Sequence, residues 1–226
     1  MIIFDNVTKQ YPDGSCAIRN ISLTFGKGEF SFVVGKSGAG KTTLLRMITR
    51  ELRPSKGKIQ VGEIDITNIP GRKVPQLRRR IGTIFQDFKL LADRTVEENV
   101  GIPLAIQGMS KADIAARVAE VLKKVGLSSK AQFFPAQLSG GEAQRTAFAR
   151  AVVHKPLILL ADEPTGDLDT VNADILMELL SDYHNSGVTV IMATHNAGIV
   201  NKMKRRVVQL DEGKLLSDIE GGTYAI

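Results

Sequence analysis

A chain of 226 residues, 43% hydrophobic and 24% charged, can bury a sizeable core as one large domain or as a core with a subdomain. Its net charge of +6 permits attraction to nucleotides, anionic lipid heads or nucleic acid, but 5% aromatics and no tryptophan leave few platforms for base stacking. The single cysteine, Cys16, excludes an internal disulfide and a multi-cysteine metal site. No apolar run reaches the ~18 residues of a membrane span, and Asp5 and Lys9 interrupt any signal-peptide core. A cytoplasmic protein is expected, free to dock on a membrane.

Taken in chain order, Ile2 to Val7 alternates as a strand does, and Tyr11-Pro12-Asp13-Gly14 reads as a turn. Ile21, Leu23 and Phe25 alternate again before Gly26-Lys27-Gly28. Strand, turn, strand predicts a small antiparallel sheet ahead of the apolar run Phe30 to Val34. That run leads into Gly35-Lys36-Ser37-Gly38-Ala39-Gly40-Lys41-Thr42-Thr43 and then the amphipathic Leu44, Leu45, Met47 and Ile48. Strand, glycine-rich loop, helix is the context of a phosphate-binding P-loop. Glycines let successive N–H groups point at one anion, and a helix N-terminus adds partial positive charge. In that reading Lys41 neutralises the β- and γ-phosphates of a bound nucleotide and the Thr42 hydroxyl ligates Mg²⁺. A glycine-rich turn capping an ordinary helix is the plain alternative.

Arg53 to Gly57 ends the P-loop helix, and short strands are expected at Lys58 to Val61 and Ile81 to Phe85. Ser110 with Asp113 opens a helix carrying Ile114, Val118, Val121, Leu122 and Val125, closed by Gly126. The stretch from about 90 to 137 thus reads as a helical insertion. Leu157 to Ala161 and Val188 to Ala193 have the length and apolarity of buried strands, with a helix between them that Asp169 caps and Gly187 closes. Val207 to Leu210 and Leu215-Leu216 bracket the turn Asp211-Glu212-Gly213. Buried strands alternating with helices imply a mostly parallel sheet covered on both faces. The densest basic stretches, Arg78 to Arg80 and Lys202 to Arg206, read as solvated helix faces, with lipid heads or a membrane partner as the sharper alternative.

Asp162 and Glu163 follow the first of those buried strands. In a P-loop protein such an aspartate holds the metal that the P-loop threonine also contacts, and an adjacent carboxylate is placed to orient attacking water. A turn or capping pair is the plain alternative. Leu138-Ser139-Gly140-Gly141-Glu142-Ala143-Gln144-Arg145 is a second helix start, with Ser139 and Glu142 as a capping box and two glycines exposing backbone N–H groups.

This last segment resembles the signature motif of ATP-binding cassette ATPases, and the resemblance runs over nearly the whole chain with the motifs in the family's order. Gly35 to Thr43 matches the Walker A loop, Gln86 the Q-loop glutamine, Asp162 and Glu163 the Walker B pair, and Gly166-Asp167-Leu168-Asp169 the D-loop. Tyr11 matches the aromatic that stacks on adenine, and His195 the switch histidine. The resemblance implies an α/β fold: a P-loop NTPase core with a mostly parallel sheet, an N-terminal antiparallel β subdomain and an α-helical subdomain at about 90–155, within a single nucleotide-binding domain. It implies ATP and Mg²⁺ as ligands, with Thr42, Gln86 and Asp162 around the metal. Glu163 would polarise water and His195 would contact the γ-phosphate. Two copies would pack head to tail, so that Leu138 to Glu142 of one complete the site of the other. Ala143 departs from the glutamine frequent after the motif, a change on the helix surface rather than at the phosphate contact.

At this length no coiled-coil arm, second cassette or C-terminal regulatory extension of the kinds other branches carry is expected. The stretches Phe85 to Leu91, Arg94 to Val100 and Arg50 to Pro54 resemble the cell-division branch of the family. That resemblance implies a peripheral place on the cytoplasmic side of a bacterial membrane and an integral membrane partner, no nucleic acid, and activation of peptidoglycan hydrolases. Leu160 to Asp169 is shared with lipoprotein-release and macrolide-export ATPases, so an exporter subunit stays open, as does a non-catalytic nucleotide-gated scaffold. Phe88, Leu90 and Leu91 are candidate anchors for the membrane partner, with core packing as the alternative.

Overall fold

The computed structural model describes residues 1–225. Strands β1 (Ile2–Gln10), β2 (Cys16–Phe25), β4 (Lys56–Val61) and β5 (Ile64–Asp65) form an antiparallel sheet in the order β2-β1-β4-β5. The second sheet has six strands in the order β10-β9-β3-β8-β7-β6. Its members are β3 (Phe30–Val34), β6 (Ile81–Ile84), β7 (Ile158–Asp162), β8 (Thr189–Thr194), β9 (Arg206–Asp211) and β10 (Lys214–Ile219). All pairings are parallel except the terminal β9–β10 hairpin. The expected mostly parallel sheet and antiparallel N-terminal sheet are both present.

Every residue of β3 and β8 is buried, because both faces of this sheet are covered. The side-chain period of two divides the strand residues between two cores. Phe32 and Val34 join Phe148, Leu159, Leu176 and Val190 under the helices α3 (Val96–Ile106), α4 (Lys111–Lys124), α5 (Gly140–Val152) and α6 (Thr170–Asn185). Val33 faces the other way, with Leu160 and Ile191, onto α1 (Lys41–Ile48) and the antiparallel sheet through Phe4, Ile18, Phe25, Leu44 and Ile48. Burying each such side chain contributes about 1.5–3 kcal/mol. Two shorter helices, α2 (Val74–Arg78) and α7 (Ala197–Met203), complete the fold.

Between β6 and β7 the chain is helical. Asn99 on α3 is fully buried. Its amide accepts from Leu91 N at 2.8 Å and donates to the carbonyls of Leu91, Arg94 and Thr95 at 3.0–3.1 Å. The loop ahead of α3 is thereby fixed. Arg150 on α5 donates to the carbonyls of Phe88 and Lys89, both at 2.7 Å. Those two residues hold left-handed backbone at φ 54° and 48°, a conformation that costs a non-glycine residue roughly 1–2 kcal/mol. The guanidinium bonds offset that cost and tie the segment after Gln86 to the helix that starts at Ser139.

One expectation is corrected. Lys202 to Arg206 is not a single solvated helix face, because α7 ends at Met203 and Arg206 begins β9. The Arg206 side chain is only 12% exposed. It binds both Asp218 oxygens at 2.7 and 2.6 Å, Glu29 at 2.8 Å and the Thr24 carbonyl at 2.8 Å. Three carboxylate contacts on one guanidinium close the open end of the six-stranded sheet. Arg78, Arg79 and Arg80 are exposed as expected, although Arg78 also donates to the Thr49 carbonyl at 3.0 Å.

Candidate functional site

The loop after β3 closes over the N-terminus of α1. Gly35 lies at φ 147° and Gly40 at φ 104°. A Cβ on Gly35 would fall 2.3 Å from the Leu210 carbonyl oxygen, and one on Gly40 2.4 Å from that of Ala17. Backbone packing therefore demands glycine at both positions. Helix α1 carries no side-chain cap and no acidic residue in its first turn. Helices α3, α4, α5, α6 and α7 are each capped by their own Thr95, Ser110, Ser139, Asp169 or Asn196. The first-turn N–H groups of α1 are thus left to an outside anion, reinforced by the helix dipole.

Residues 36–43 line a cleft of about 540 Å³ together with Ala17, Gln86, Glu163, His195 and Tyr224. The strand tips of β7 and β8 supply the acidic and imidazole groups, because both strands run parallel to β3 and end at the same edge. Lys41, 7% exposed, donates from Nζ to the Gly35 and Lys36 carbonyls at 2.8 and 3.2 Å and sits 3.5 Å from Glu163 Oε1. Glu163 takes left-handed backbone at φ 46°, its N–H donating to the Ala193 carbonyl at 2.9 Å. That turn aims the carboxylate at His195, whose Nδ1 lies 2.9 Å from Oε1 and whose backbone N–H donates to Oε2 at 3.3 Å. Pro164, next along, gives its carbonyl to the buried Gln144 of α5 at 2.6 Å. Lysine, glutamate and histidine so form one connected cluster at the phosphate end of the cleft.

Thr42 Oγ1 donates to Asp162 Oδ1 at 3.0 Å. Hydroxyl and carboxylate oxygens are the hard donors Mg²⁺ prefers, and Mg²⁺ keeps several waters rather than needing a full protein cage. The pair fits that ion, with Gln86 on the same cleft. Burial pushes the Asp162 carboxyl up from its ordinary range, the Thr42 hydrogen bond lowers it, and the charge of Glu163 raises it again. A carboxyl raised in the fold favours the folded state when protonated and weakens it as pH rises through its folded value. Asp162→Asn should therefore raise the melting temperature of the nucleotide-free protein at pH 7 by a few degrees while abolishing Mg²⁺-dependent turnover. A lower melting temperature would show that the carboxylate stabilises the fold.

Tyr11 lies outside the cleft lining, with its hydroxyl 3.2 Å from Thr43 Oγ1. The segment Leu138 to Glu142 does not line this cleft at all. It forms the start of α5, where Ser139 Oγ accepts from Glu142 N and Glu142 Oε2 accepts from Ser139 N. The Glu142 carboxyl is held below its ordinary range chiefly by that Ser139 backbone N–H. Gly141 packs on Asn172, where a Cβ would meet the Oδ1 atom at 2.0 Å. Asn172 in turn accepts from Arg145 at 2.8 Å and donates to Asp169 at 2.6 Å. Arg145, Asn172 and Asp169 therefore lock the starts of α5 and α6 together. Sequence reasoning missed Ala17, Gln144, Asn172 and Tyr224, of which only Gln144, next to the glycine-rich helix start, carried a local signal.

Residues 18–166 match the ABC transporter family. The chain is 47% identical over 224 residues to the cell division ATP-binding protein FtsE of Bacillus subtilis, covering 99% of this chain and 98% of that one. Identity is 50% over 215 residues to the protein of the same name from Escherichia coli K12, covering 95% and 97%. It is 45% over 227 residues to that of Mycobacterium tuberculosis, covering 100% and 99%. The fold superposes with a TM-score of 0.92 on a dimeric post-hydrolysis state of the ATP-binding cassette MJ0796 bound to ADP and Pi, at 33% identity over 99% of this chain and all of that one. A P-loop and strand-tip carboxylates at one edge of the six-stranded sheet, the family match over residues 18–166 and near-full-length relatives establish that the chain belongs to the ABC transporter family as one of its ATPase cassettes.

Proposed function

We propose that this ATPase acts in bacterial cell division in the manner of FtsE. Near-half identity over 95% or more of both chains to three FtsE proteins carries the reading. The partner is an integral membrane protein of the FtsX type, and the work done is a shape change that reaches peptidoglycan hydrolases across the membrane. No helix is long and apolar enough to cross a membrane among the described residues, so this chain docks on the cytoplasmic face through that partner.

In the proposed cycle Lys41 and the free N–H groups of α1 hold the β- and γ-phosphates of ATP, Tyr11 faces the adenine, and Thr42, Asp162 and Gln86 surround Mg²⁺. The metal supplies charge neutralisation on the phosphate oxygens. Glu163 orients the attacking water and accepts its proton, and His195, bonded to Glu163, holds that carboxylate and contacts the γ-phosphate. A second copy presents Leu138 to Glu142, so that the N–H groups of Gly140 and Gly141 and the Ser139 hydroxyl close the site. Ser139 to Glu142 lie outside the cleft of their own chain, and the MJ0796 relative is a dimer; both observations support the two-copy arrangement. The stretch 90–155 serves as the helical subdomain that relays closure to the membrane partner, with Asp169 in the D-loop joining the two copies.

The partner surface lies beside Gln86, where Phe85, Pro103 and Ile106 line a groove of about 510 Å³ between α1 and α3. Ile106 and Leu91 are 68% and 46% exposed, whereas Phe88 and Leu90 are half-buried. Leu91→Glu is expected to release the protein from membranes with ATP affinity within twofold of wild type. Membrane association equal to wild type would remove Leu91 from the partner surface. Pulldown from solubilised membranes with ATP bound tests the reading as a whole. Recovery of an integral membrane partner without transport activity supports it; a partner with a large substrate-binding periplasmic domain and an export phenotype would sink it in favour of the exporter branch.

A further inference from the structure

The end of the chain returns to the nucleotide cleft. After β10 the backbone turns at Gly221, where φ is 60°, and Gly222 packs on Val207 and Ile219. It then runs alongside α7. Asn201 of α7 grips the main chain of Tyr224 twice: Oδ1 accepts from its N–H at 2.7 Å and Nδ2 donates to its carbonyl at 3.0 Å. This paired amide bond fixes one residue of an otherwise irregular tail, five residues past the last strand. Tyr224 is 4% exposed and packs in the helix-side core with Val200 and Val207. Yet Tyr224 also lines the nucleotide cleft beside Lys36, Ser37 and His195, and a second small cleft beside Gly35 and Leu210. The ring thus forms the wall between the core and the start of the P-loop.

We propose that Tyr224 is a phosphate-contacting residue of the ATP site, delivered by the C-terminal tail and set in place by Asn201. A phenol buried to this degree ordinarily has its hydroxyl hydrogen-bonded. The hydrogen bonds that hold Tyr224 are made by its main chain, and its ring opens on the cleft where a phosphate oxygen can accept from O–H. Its neighbours in the cleft select the end of the nucleotide it meets. Tyr224 meets the start of the P-loop at Gly35 and Lys36 in the second cleft, and it shares the nucleotide cleft with His195, which the proposed cycle sets at the γ-phosphate. The contact is therefore with the terminal phosphate, and it makes the tail a sensor of ATP against ADP. A hydrogen bond between a neutral donor and a charged phosphate is stronger than a neutral pair, and because ADP lacks the terminal phosphate, loss of the hydroxyl falls on ATP selectively.

The inference rests on the ATP-site reading above. Direct binding of a non-hydrolysable ATP analogue and of ADP, each with Mg²⁺, to wild type, Tyr224→Phe and Asn201→Ala tests it. Binding of the analogue by wild type establishes the site itself; failure there overturns the site reading rather than this inference. Tyr224→Phe keeps the ring and its packing, and is expected to weaken the analogue about five- to tenfold and ADP less than twofold, with an unchanged melting temperature. Asn201→Ala frees the tail and should reproduce the same selectivity loss. Equal affinities of Tyr224→Phe and wild type for the analogue would overturn the proposal, reducing Tyr224 to a packed core residue. Parallel weakening of analogue and ADP would equally overturn it, since the hydroxyl would then not read the terminal phosphate.

Discussion

Glu163→Gln is expected to reduce steady-state ATP turnover at least about a hundredfold, the usual contribution of a positioned general base, while ATP binding persists. The amide keeps the size and hydrogen-bonding reach of the carboxylate but cannot take a proton from water. The surrounding geometry makes the effect specific. Glu163 is 13% exposed on its side chain, is 3.5 Å from Lys41 Nζ and 2.9 Å from His195 Nδ1, and sits on a strained left-handed backbone directly after the Asp162 strand. Removing its charge also removes the ion pair with Lys41, leaving Lys41 wholly to the phosphates, so affinity for ATP should hold or rise. Turnover is read by phosphate release and affinity by fluorescent nucleotide. Wild-type turnover in the variant would show that another group activates the water, and would revive the reading of this chain as a scaffold whose carboxylates only cap a strand.

Arg206→Ala carries the largest expected loss of stability away from the cleft. Arg206 binds Glu29, both oxygens of Asp218 and the Thr24 carbonyl, and only 12% of its side chain is exposed. Glu29 also accepts from the Gly26 N–H at 2.6 Å and from the Ser31 hydroxyl. Removal of the guanidinium leaves two carboxylates facing each other with reduced solvation. Breaking such a largely buried pair from one side costs about 3–5 kcal/mol; the partial exposure of Asp218 places this case at the low end. Urea unfolding should show a midpoint lowered accordingly with an unchanged slope. A loss under about 1 kcal/mol would class the cluster with ordinary surface pairs.

What could be read from the sequence was whatever lies close together along the chain. The P-loop, the capping box of α5, the Ser110 and Asp169 caps and the Asp162-Glu163 strand tip all declare themselves within a few residues. Their chemistry is set by local backbone geometry. The mostly parallel, doubly covered sheet followed from strand length and apolarity, since β3, β7 and β8 are apolar runs alternating with helices, whereas the strand order did not. Arg206 misled because adjacency to Lys202 and Lys204 suggested one helix face, while its partners Glu29 and Asp218 lie 177 and 12 residues away. Tyr224 gave no signal at all. An aromatic in a short tail acquires meaning only when Asn201 pins it against a loop nearly two hundred residues earlier. Arg150 behaves likewise: on α5 it is one polar residue on a buried helix, and only the fold shows that it holds the left-handed pair Phe88 and Lys89.

Leu138 to Glu142 is the hardest case, because the role proposed for it lies outside its own chain. Within one copy it is a well-capped helix start locked by Arg145, Asn172 and Asp169. Its glycines serve a nucleotide only if a second copy brings its own P-loop against them, the head-to-tail symmetry of an isologous pair. The most direct measurement of that claim is the mass of Glu163→Gln in solution, by equilibrium sedimentation, with ATP and Mg²⁺ and then with ADP and Mg²⁺. A two-copy site predicts a dimer with ATP and a monomer with ADP, the dimer being lost on Gly140→Asp, where a side chain meets nothing within its own chain. A monomer in saturating ATP, or a dimer indifferent to the nucleotide and to Gly140, would contradict it.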